Sequence, residues 1–170
     1  DGSPDVDFVL TTQELAHMIE EAGLRFNRLN PESLDMPLGF KTGAGVIFGN
    51  SGGVSEAVLR YAAEKLTGVK LEAVDFPIVR GEDGVRTATI VVGDVELKLA
   101  IVHGLKNARD LAEKIKAGRC GYDFIEVMAC PGGCIGGAGQ PVSRDFDARQ
   151  RRTRGLYEAD KQLQLHKAQD

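Results

Sequence analysis

Two cysteines near the end of the chain are the residues most able to do chemistry. Cys130 and Cys134 are separated by three residues in a loop that reads Cys-Pro-Gly-Gly-Cys-Ile-Gly-Gly-Ala-Gly. Two thiolates at this spacing can bind one iron–sulfur cluster or one soft metal ion. Zinc is the less favoured occupant, because structural zinc sites use two short knuckles and this sequence has only one. The pattern therefore predicts a loop that binds a cluster or a metal.

The same loop is rich in glycine, with Gly132, Gly133, Gly136, Gly137 and Gly139. Glycine has no side chain, so the backbone at these positions can come close to a bulky inorganic group. An ordinary turn with unreactive thiols has the same composition, and the spacing alone leaves both interpretations open. Cys120, isolated before a predicted strand, is more typical of a structural cysteine.

Caps and apolar periodicity predict the helices that position this loop. Thr11 and Glu14 form a capping box before a first helix, which ends at Gly23. A second helix begins after Gly52-Gly53, where free backbone N–H groups favour an electron-rich partner, and ends at Gly68. The predicted buried face of this second helix comprises Val54, Val58, Tyr61, Ala62 and Leu66. A third helix, which ends at Gly118, is predicted to turn inward Leu105, Ala108, Leu111, Ala112 and Ile115.

Alternating residues predict the strands. Segments 87–92 and 96–102, joined by a tight turn at Gly93-Asp94, are expected to form an antiparallel hairpin with one solvated face. Residues 69–79 also resemble a strand. A buried strand at 124–129 delivers the cysteine loop at its carboxyl end, where open α/β sheets bind their ligands. The predicted fold class is α/β, with a mixed sheet flanked by helices.

Length and composition favour one globular unit over residues 1–170. The chain is 42% apolar and 27% charged, with a net charge of −4, which suits a single core. This charge provides no basic surface for nucleic acid. Residues 144–170 are predicted to form a tail with a polar helix that contributes little core. The basic run at 149–154 within it is expected to face solvent or a partner.

Cysteine content bears on the compartment. The three cysteines, with no recognisable signal peptide and no stretch long enough for membrane insertion, favour a reducing cytosol over a disulfide framework. Cluster chemistry suits such an environment, because thiolates and reduced iron are sensitive to oxidation. A cytoplasmic location is therefore expected.

Several segments resemble the iron-only (FeFe) hydrogenases. Residues 126–141 are similar to the third cluster-binding motif of that family, Glu-x-Met-x-Cys-x-Gly-Gly-Cys-x-x-Gly-x-Gly-Gln-Pro. Residues 43–60 resemble the family's glycine-rich turn and helix beside the active site. Segments 4–15 and 156–160 resemble the stretch after the second cluster motif and part of the C-terminal tail. The resemblance covers essentially the whole chain and implies one lobe of the iron-only hydrogenase catalytic domain.

This resemblance implies specific roles for the loop. In the family the active-site H-cluster joins a 4Fe-4S cubane, held by four cysteines, to a two-iron centre with carbon monoxide, cyanide and a bridging dithiolate. Cys130 would bind the cubane, and Cys134 would also bridge to the two-iron centre. Cys134 and Met128, which would lie against the two-iron centre, are the predicted catalytic residues. Phe48 would line the apolar approach, and the residues expected beside the cofactor also include Gly132 and Gly133.

The resemblance also implies what the sequence does not contain. Two of the four cluster cysteines, the proton-delivering cysteine and a cyanide-binding lysine belong to motifs upstream of this sequence. The chain alone is expected to be inactive and to hold no stable cofactor. The implied reaction interconverts dihydrogen with protons and electrons. The implied partners are the rest of the same catalytic domain and either ferredoxin or an NAD(P)-linked flavin subunit, and some members of the family are periplasmic.

Other functional classes remain open. Prelamin-recognition-factor-like and cytosolic iron–sulfur assembly proteins resemble hydrogenases and keep the cysteine loop, yet lack the two-iron centre and act as cluster carriers. A sensory hydrogenase homologue is a third class. Residues 45–53 are more similar to the hydrogenases. Phosphate binding by the loop at 43–53 is not favoured, because no Lys-Ser/Thr pair follows its glycines.

One geometric expectation follows for the strand before the loop. Successive side chains of a strand point to opposite faces. If Met128 faces the cofactor, Val127 is expected to face the other layer of the lobe.

Overall fold

The computed structural model is an α/β fold in which helices cover both faces of a small mixed sheet, as the sequence predicts. It describes residues 2–32, 35, 39–69 and 75–169. The helices of these residues are α1 (Thr12–Glu21), α2 (Gly43–Ile47), α3 (Gly53–Thr67), α4 (Leu105–Lys116) and α5 (Ala148–Gln162). The strands are β1 (Val85–Val92), β2 (Val95–His103) and β3 (Phe124–Met128), and short 3-10 turns occur at Phe26–Arg28, Pro77–Val79 and Cys134–Gly136.

The order of the strands places the cysteine loop. Strands β1 and β2 form the predicted antiparallel hairpin, closed at the Val92↔Val95 pair by the Gly93-Asp94 turn. Strand β3 pairs with β2 in parallel, with His103 opposite Met128. A parallel pair needs a crossover connection, and α4 provides it. Strands β2 and β3 therefore end at the same edge of the sheet, and the cysteine loop leaves from that edge.

The apolar core has one part on each face of the sheet. On the α3 side Leu59 packs with Leu99 and Ile101, and on the α4 side Leu111 packs with Ala100 and Val102. The predicted solvated face is confirmed for β1, where Thr87, Thr89 and Val91 are exposed. It is wrong for residues 99–103 of β2, because α4 covers that half of the strand.

The predicted buried face of α3 is wrong. Its ends are as expected, with left-handed glycines at Gly52 and Gly68. The buried residues, however, are Gly53, Ser55, Glu56, Ala57, Leu59, Arg60 and Ala63. Tyr61 is 46% exposed and Leu66 is 50% exposed. The physical reason is that polar side chains on the other face reach partners distant in sequence, and these contacts fix the helix rotation.

Two other helices also leave apolar side chains exposed. Helix α1 has the predicted capping box between Thr11 and Glu14, yet it buries none of its residues. On α4, Leu111 is buried as predicted, whereas Leu105 is 70% exposed and Ile115 is 47% exposed. None of the helices in the described ranges is both long and apolar enough to cross a membrane.

Two expectations about strands need correction. Of the strand predicted at 69–79, residues 70–74 lie outside the described residues, and Pro77–Val79 is a 3-10 turn. Proline at 77 fixes φ and lacks an N–H donor, which suits such a turn better than a strand interior. Val127 is 52% exposed, so it does not pack into another layer of this chain, although Glu126 before it is buried.

The C-terminal tail joins the fold through polar groups. Helix α5 packs against α2, and none of the described residues from 144 onward is a buried apolar core residue, as expected. Asp160 is nevertheless buried. The expectation that the basic run faces solvent or a partner is wrong for Arg152, which is half-buried and donates to two loop carbonyls of its own chain.

Candidate metal centre

The cysteine loop follows β3 and is tightly turned. Cys130 is half-buried, Cys134 is exposed, and neither forms a disulfide. Gly133 N donates to Cys130 O at 3.0 Å, and Gly137 N donates to Cys134 O at 3.1 Å. These bonds fold both cysteines into one short turn of defined backbone geometry.

A second glycine-rich segment holds the loop from one side. Ile135 N donates to Gly49 O at 3.3 Å, and Ser51 N donates to Gly132 O at 3.0 Å. Gly133 has φ +94, and a Cβ there would stand 2.7 Å from both Gly49 O and Ser51 N. Both the positive φ and this backbone contact require glycine. The segment at 49–51 therefore acts as a support for the cysteine loop.

Other loop glycines also serve the packing of the protein itself. A Cβ at Gly136 would collide with Pro131 O, and one at Gly139 would stand 2.9 Å from Thr11 Cγ2. At Gly137 a Cβ would lie 3.7 Å from Cys130 Sγ. Internal packing alone thus explains glycine at 133, 136 and 139, and a Cβ at Gly137 would also crowd Cys134 O at 3.2 Å.

Glu126 connects the loop's strand to α3. Its carboxylate is buried and accepts from Gly52 N at 2.5 Å, Ser55 N at 2.7 Å and Ser55 Oγ at 2.8 Å. Unpaired N–H groups at a helix start favour a negative charge. The electron-rich partner predicted for the Gly52-Gly53 helix start is therefore a carboxylate of the same chain. Through Glu126, four residues before Cys130, β3 is fixed to the start of α3.

The second half of the loop, after Cys134, is held by side chains and by one backbone bond. Arg152 of α5 donates to Ile135 O at 3.1 Å and to Pro141 O at 2.7 Å. Gln140 Nε2 donates to Cys134 O at 3.3 Å. Gln13 N at the start of α1 donates to Gly139 O at 2.9 Å. Three parts of the chain thus form hydrogen bonds with the loop, namely segment 49–51, α5 and the start of α1.

A buried ionic cluster anchors α5. Arg60 pairs with Glu56 at 3.0 Å and with Asp160 at 2.6 Å, and Arg80 pairs with Glu56 at 2.6 Å. Burial opposes the charged form of Arg80, but its hydrogen bonds to Glu56 and Asp75 outweigh this and raise its pKa. The cluster joins α3, α5 and the segment before β1 through directional contacts between charges.

A cavity of about 70 Å³ lies behind the loop, and its lining residues include Asn50, Ser51, Arg80, Gly132 and Tyr157. Within the described part of the chain, Asn50 Oδ1 and the Tyr157 hydroxyl have no hydrogen-bond partner. Burial, followed by the charge of Glu56, raises the pKa of Tyr157 to about 12. The guanidinium of Arg80 stacks 4.0 Å from the centre of the Tyr157 ring. The phenol therefore stays neutral at physiological pH.

Comparison with known proteins decides the family. Residues 1–138 match the model of the iron only hydrogenase large subunit, C-terminal domain. The chain belongs to this family.

Individual relatives support the assignment of the chain to this family. It is 49% identical over 170 residues to the NADP-reducing hydrogenase subunit HndD of Solidesulfovibrio fructosivorans, with 99% of the chain and 29% of that protein covered. It is 48% identical over 157 residues to the periplasmic Fe hydrogenase large subunit of Nitratidesulfovibrio vulgaris, with 92% and 37% covered. The chain thus spans about a third of the length of these curated relatives.

A solved structure supports the fold. An apo FeFe hydrogenase variant from Chlamydomonas reinhardtii matches with a TM-score of 0.73 and 35% identity, covering 97% of this chain and 48% of that one. A cytosolic iron-sulfur assembly component 3 from Rattus norvegicus is 37% identical over 149 residues, with 86% of this chain and 31% of that protein covered. The fold of the iron-only hydrogenase chain is thus shown.

Most of the predicted site residues lie on or beside the cysteine loop. Gly132 and Gly133 lie between Cys130 and Cys134 in the supported loop. Met128, the half-buried last residue of β3, lies two residues before the first cysteine. Phe48 is 43% exposed and directly precedes Gly49, which binds the loop. Contact of these residues with a cofactor stays a prediction.

The donor set fits half of a cubane site. The described residues include no group of three or more His, Cys, Asp and Glu side chains that could hold a metal ion. Two unbridged thiols on one loop are the soft donors that an iron–sulfur cluster requires. These two thiols can supply two of the ligands of such a cluster.

Two functional residues were missed at the sequence level. Glu126 carried one usable signal, a lone carboxylate inside the apolar run Phe124–Met128, because a buried charge needs a partner. Arg152 carried none, since nothing in the run 149–154 separates it from the other arginines. His103 at the end of β2 is buried, with Nε2 3.1 Å from Glu82 O.

Proposed function

We propose that the chain is part of a hydrogenase that reversibly interconverts dihydrogen with protons and electrons, and that its loop binds the H-cluster. The observation that carries the proposal is the pair of unbridged thiols, Cys130 and Cys134, at the carboxyl edge of the sheet. Hydrogen bonds from three other parts of the chain hold the loop on which they lie. Membership of the iron-only hydrogenase family supports it. A loop that is supported in this way holds its two sulfurs more precisely than a mobile turn would.

The residues of the chain have separate tasks in this proposal. Cys130 would bind the 4Fe-4S cubane, and Cys134 would bind the cubane and bridge to the two-iron subcluster. When bound, the H-cluster supplies the hydrogen and electron-transfer chemistry. Met128 and Phe48 would line the side that faces the two-iron subcluster and limit access of water, and the backbone at Gly132 and Gly133 would border the cubane.

The main macromolecular partner in this proposal is the rest of the same catalytic domain. Large apolar side chains are exposed on the N-terminal segment, on α1 and on α3, including Phe8 at 86%. Isolated proteins rarely leave such surface in water, so these residues need a covering partner. The partial coverage of relatives and solved structures supports a continuation of the domain as that partner.

The electron partner and compartment belong to the proposal as well. One relative is named as an NADP-reducing hydrogenase subunit and another as periplasmic. The NADP-linked relative supports an NAD(P)-linked flavin subunit as electron partner, and the cysteine content supports a cytoplasmic location. Ferredoxin is the alternative electron partner, and the periplasm is the alternative compartment.

A cluster carrier without hydrogen turnover is the second candidate function. It is favoured by the cytosolic iron–sulfur assembly relatives, which share 37% identity across 86% of the chain. Both candidates use the two cysteines as ligands. They differ in the two-iron subcluster and hence in turnover.

Hydrogen evolution by the full-length protein separates these functions. With reduced methyl viologen as donor we expect turnover in the wild type and its loss in Cys134→Ser, because a serine oxygen is a poor ligand for soft iron. Cys120→Ser, at a half-buried cysteine outside the loop, is the matched control and should retain turnover. A wild type that binds a cubane but evolves no hydrogen would favour the carrier or the sensory homologue. Turnover in Cys134→Ser would contradict the bridging role.

A further inference from the structure

Arginine side chains of α5 contact the cysteine loop. The same helix also contacts segment 49–51, where Asn50 Nδ2 donates to Thr153 O at 3.5 Å. The Arg152 guanidinium donates to Ile135 O at 3.1 Å, directly after Cys134, and to Pro141 O at 2.7 Å. The fork of one guanidinium therefore closes the second half of the loop. Guanidinium groups suit such a task because their donors are planar and rigidly spaced.

Neighbouring arginines differ from Arg152 in position. Arg149 lies one turn earlier on the same face, since residues three apart are neighbours on a helix. A Cβ at Gly132 would be 3.0 Å from Arg149 Cδ. The guanidinium of Arg149 lies 4.0 Å from the carboxylate of Glu82. Arg151 pairs with Asp145, and Arg154 is exposed. Of these arginines, Arg152 is the one whose charged group contacts the carbonyl after a cysteine.

The helix holds Arg152 in place. Two turns further along α5, Asp160 binds the buried Arg60 at 2.6 Å. A side chain on a helix that is anchored in this way is positioned more accurately than one on a free tail. Since arginine stays protonated at all physiological pH values, the loop receives a permanent positive charge.

We propose that Arg152 positions the cysteine loop and, through its charge, raises the reduction potential of the cluster that Cys130 and Cys134 bind. The second part rests on the proposed function. A cluster held by thiolates gains one negative charge on reduction, so a nearby fixed cation stabilises the reduced form more than the oxidised form. Net charge and hydrogen bonding near the cluster are known determinants of its potential.

Three variants of the full-length protein test the charge. Arg152→Met removes the charge and the donors, Arg152→Lys keeps the charge without the fork, and Arg154→Met removes an exposed charge from the same helix as a control. Redox titration of the cubane, followed by electron paramagnetic resonance, should show a more negative potential in Arg152→Met. We expect the ratio of reduced to oxidised cluster at fixed potential to fall about three- to tenfold, a tenfold change being about 59 mV for one electron. The ratio should fall less in Arg152→Lys, and in Arg154→Met it should equal that of the wild type.

Amide hydrogen exchange of the cluster-free protein tests the positioning independently. Gly136 N and Gly137 N are bonded within the loop, and their exchange should be faster in Arg152→Met and in Arg152→Lys but unchanged in Arg154→Met. Equal exchange in all variants would overturn the positioning role. An unchanged potential in Arg152→Met, or an equal shift in Arg154→Met, would overturn the charge role.

Two further outcomes remain informative. If Arg152→Met does not fold, Arg152→Gln removes the same charge while keeping an amide donor, and the same titration applies. If the wild type binds no cubane, the proposed function fails, whereas the exchange measurement still decides whether Arg152 positions the loop.

Discussion

The two sides of helix α3 hold the molecule by different means. Leu59 packs into an apolar cluster with Val79, Leu99 and Ile101 beneath the sheet. Arg60, the next residue, enters an ionic cluster with Asp160 on the side that leads to the cysteine loop. Apolar contacts are not directional and tolerate repacking. Hydrogen bonds between charged groups fix individual atoms. The contacts on the loop side of α3 therefore set atomic positions, whereas those on the sheet side contribute mainly apolar burial.

The largest expected effect comes from breaking the ionic cluster. Arg60→Met leaves Asp160 buried without its cation, and we expect the free energy of unfolding to fall by about 3–5 kcal/mol. Its neighbour gives the comparison on the sheet side, where Leu59→Ala should lower it by about 2–5 kcal/mol through a cavity. Urea denaturation measures both.

A double variant distinguishes the two mechanisms. Arg60→Met combined with Asp160→Asn removes both charges of the pair, so it should be less destabilised than the sum of the single variants. Additive losses would show that the ion pair does not carry the cost. Leu59 and Asp160 belong to different clusters. The losses in free energy of unfolding from Leu59→Ala and Asp160→Asn should therefore be closer to additive.

Glu126 offers an intermediate effect at the boundary of the two sides. Glu126→Gln keeps the shape but removes the charge that accepts from Gly52 and Ser55, so the free energy of unfolding should fall by about 1.5–3 kcal/mol. Glu14→Gln is the matched control, because Glu14 accepts from Thr11 in an exposed capping box. Thermal melts should show a much smaller loss for this exposed cap. Equal losses would mean that the buried bonds of Glu126 add nothing beyond ordinary capping.

The smallest effects are expected at the end of β3. Val127 is half-exposed, so Val127→Ala should change the free energy of unfolding by less than about 0.5 kcal/mol. Met128→Leu nearly conserves volume and should lower it by less than about 1.5 kcal/mol. In the loaded full-length enzyme Met128→Leu should shift the carbonyl infrared bands, because a polarizable thioether is lost, while Val127→Ala leaves them unchanged. Bands that move only with Val127→Ala would reverse the assigned faces.

Local features of the fold could be predicted from the sequence. The capping box at Thr11, the Gly93-Asp94 turn and the alternation in β1 each depend on residues a few positions apart, and all are present. The cysteine pair is recognisable for the same reason, since its spacing and glycines lie within one short segment, and its role as a ligand pair stays a prediction. Such features need no knowledge of the rest of the fold.

Features that depend on distant residues could not be predicted. The apolar pattern of α3 does not mark its buried face, because Ser55 binds Glu126 across 71 positions and Arg60 binds Asp160 across 100. The contacts of Arg152 have no sequence signal, because a basic run that is expected to face solvent or a partner gives no sign of the carbonyls that one of its members meets. The supports of the loop are thus tertiary, while its two cysteines are close in sequence.

The cluster content of the full-length protein shows whether this loop supplies ligands to a cubane. The full-length protein, reconstituted anaerobically, is compared with Cys130→Ser and with the control Cys120→Ser by iron analysis and electron paramagnetic resonance. Serine binds iron–sulfide units more weakly than cysteine does. We predict a stable 4Fe-4S signal in the wild type and in Cys120→Ser, and its loss or marked weakening in Cys130→Ser. A stoichiometric, equally stable signal in Cys130→Ser would contradict this role of the loop.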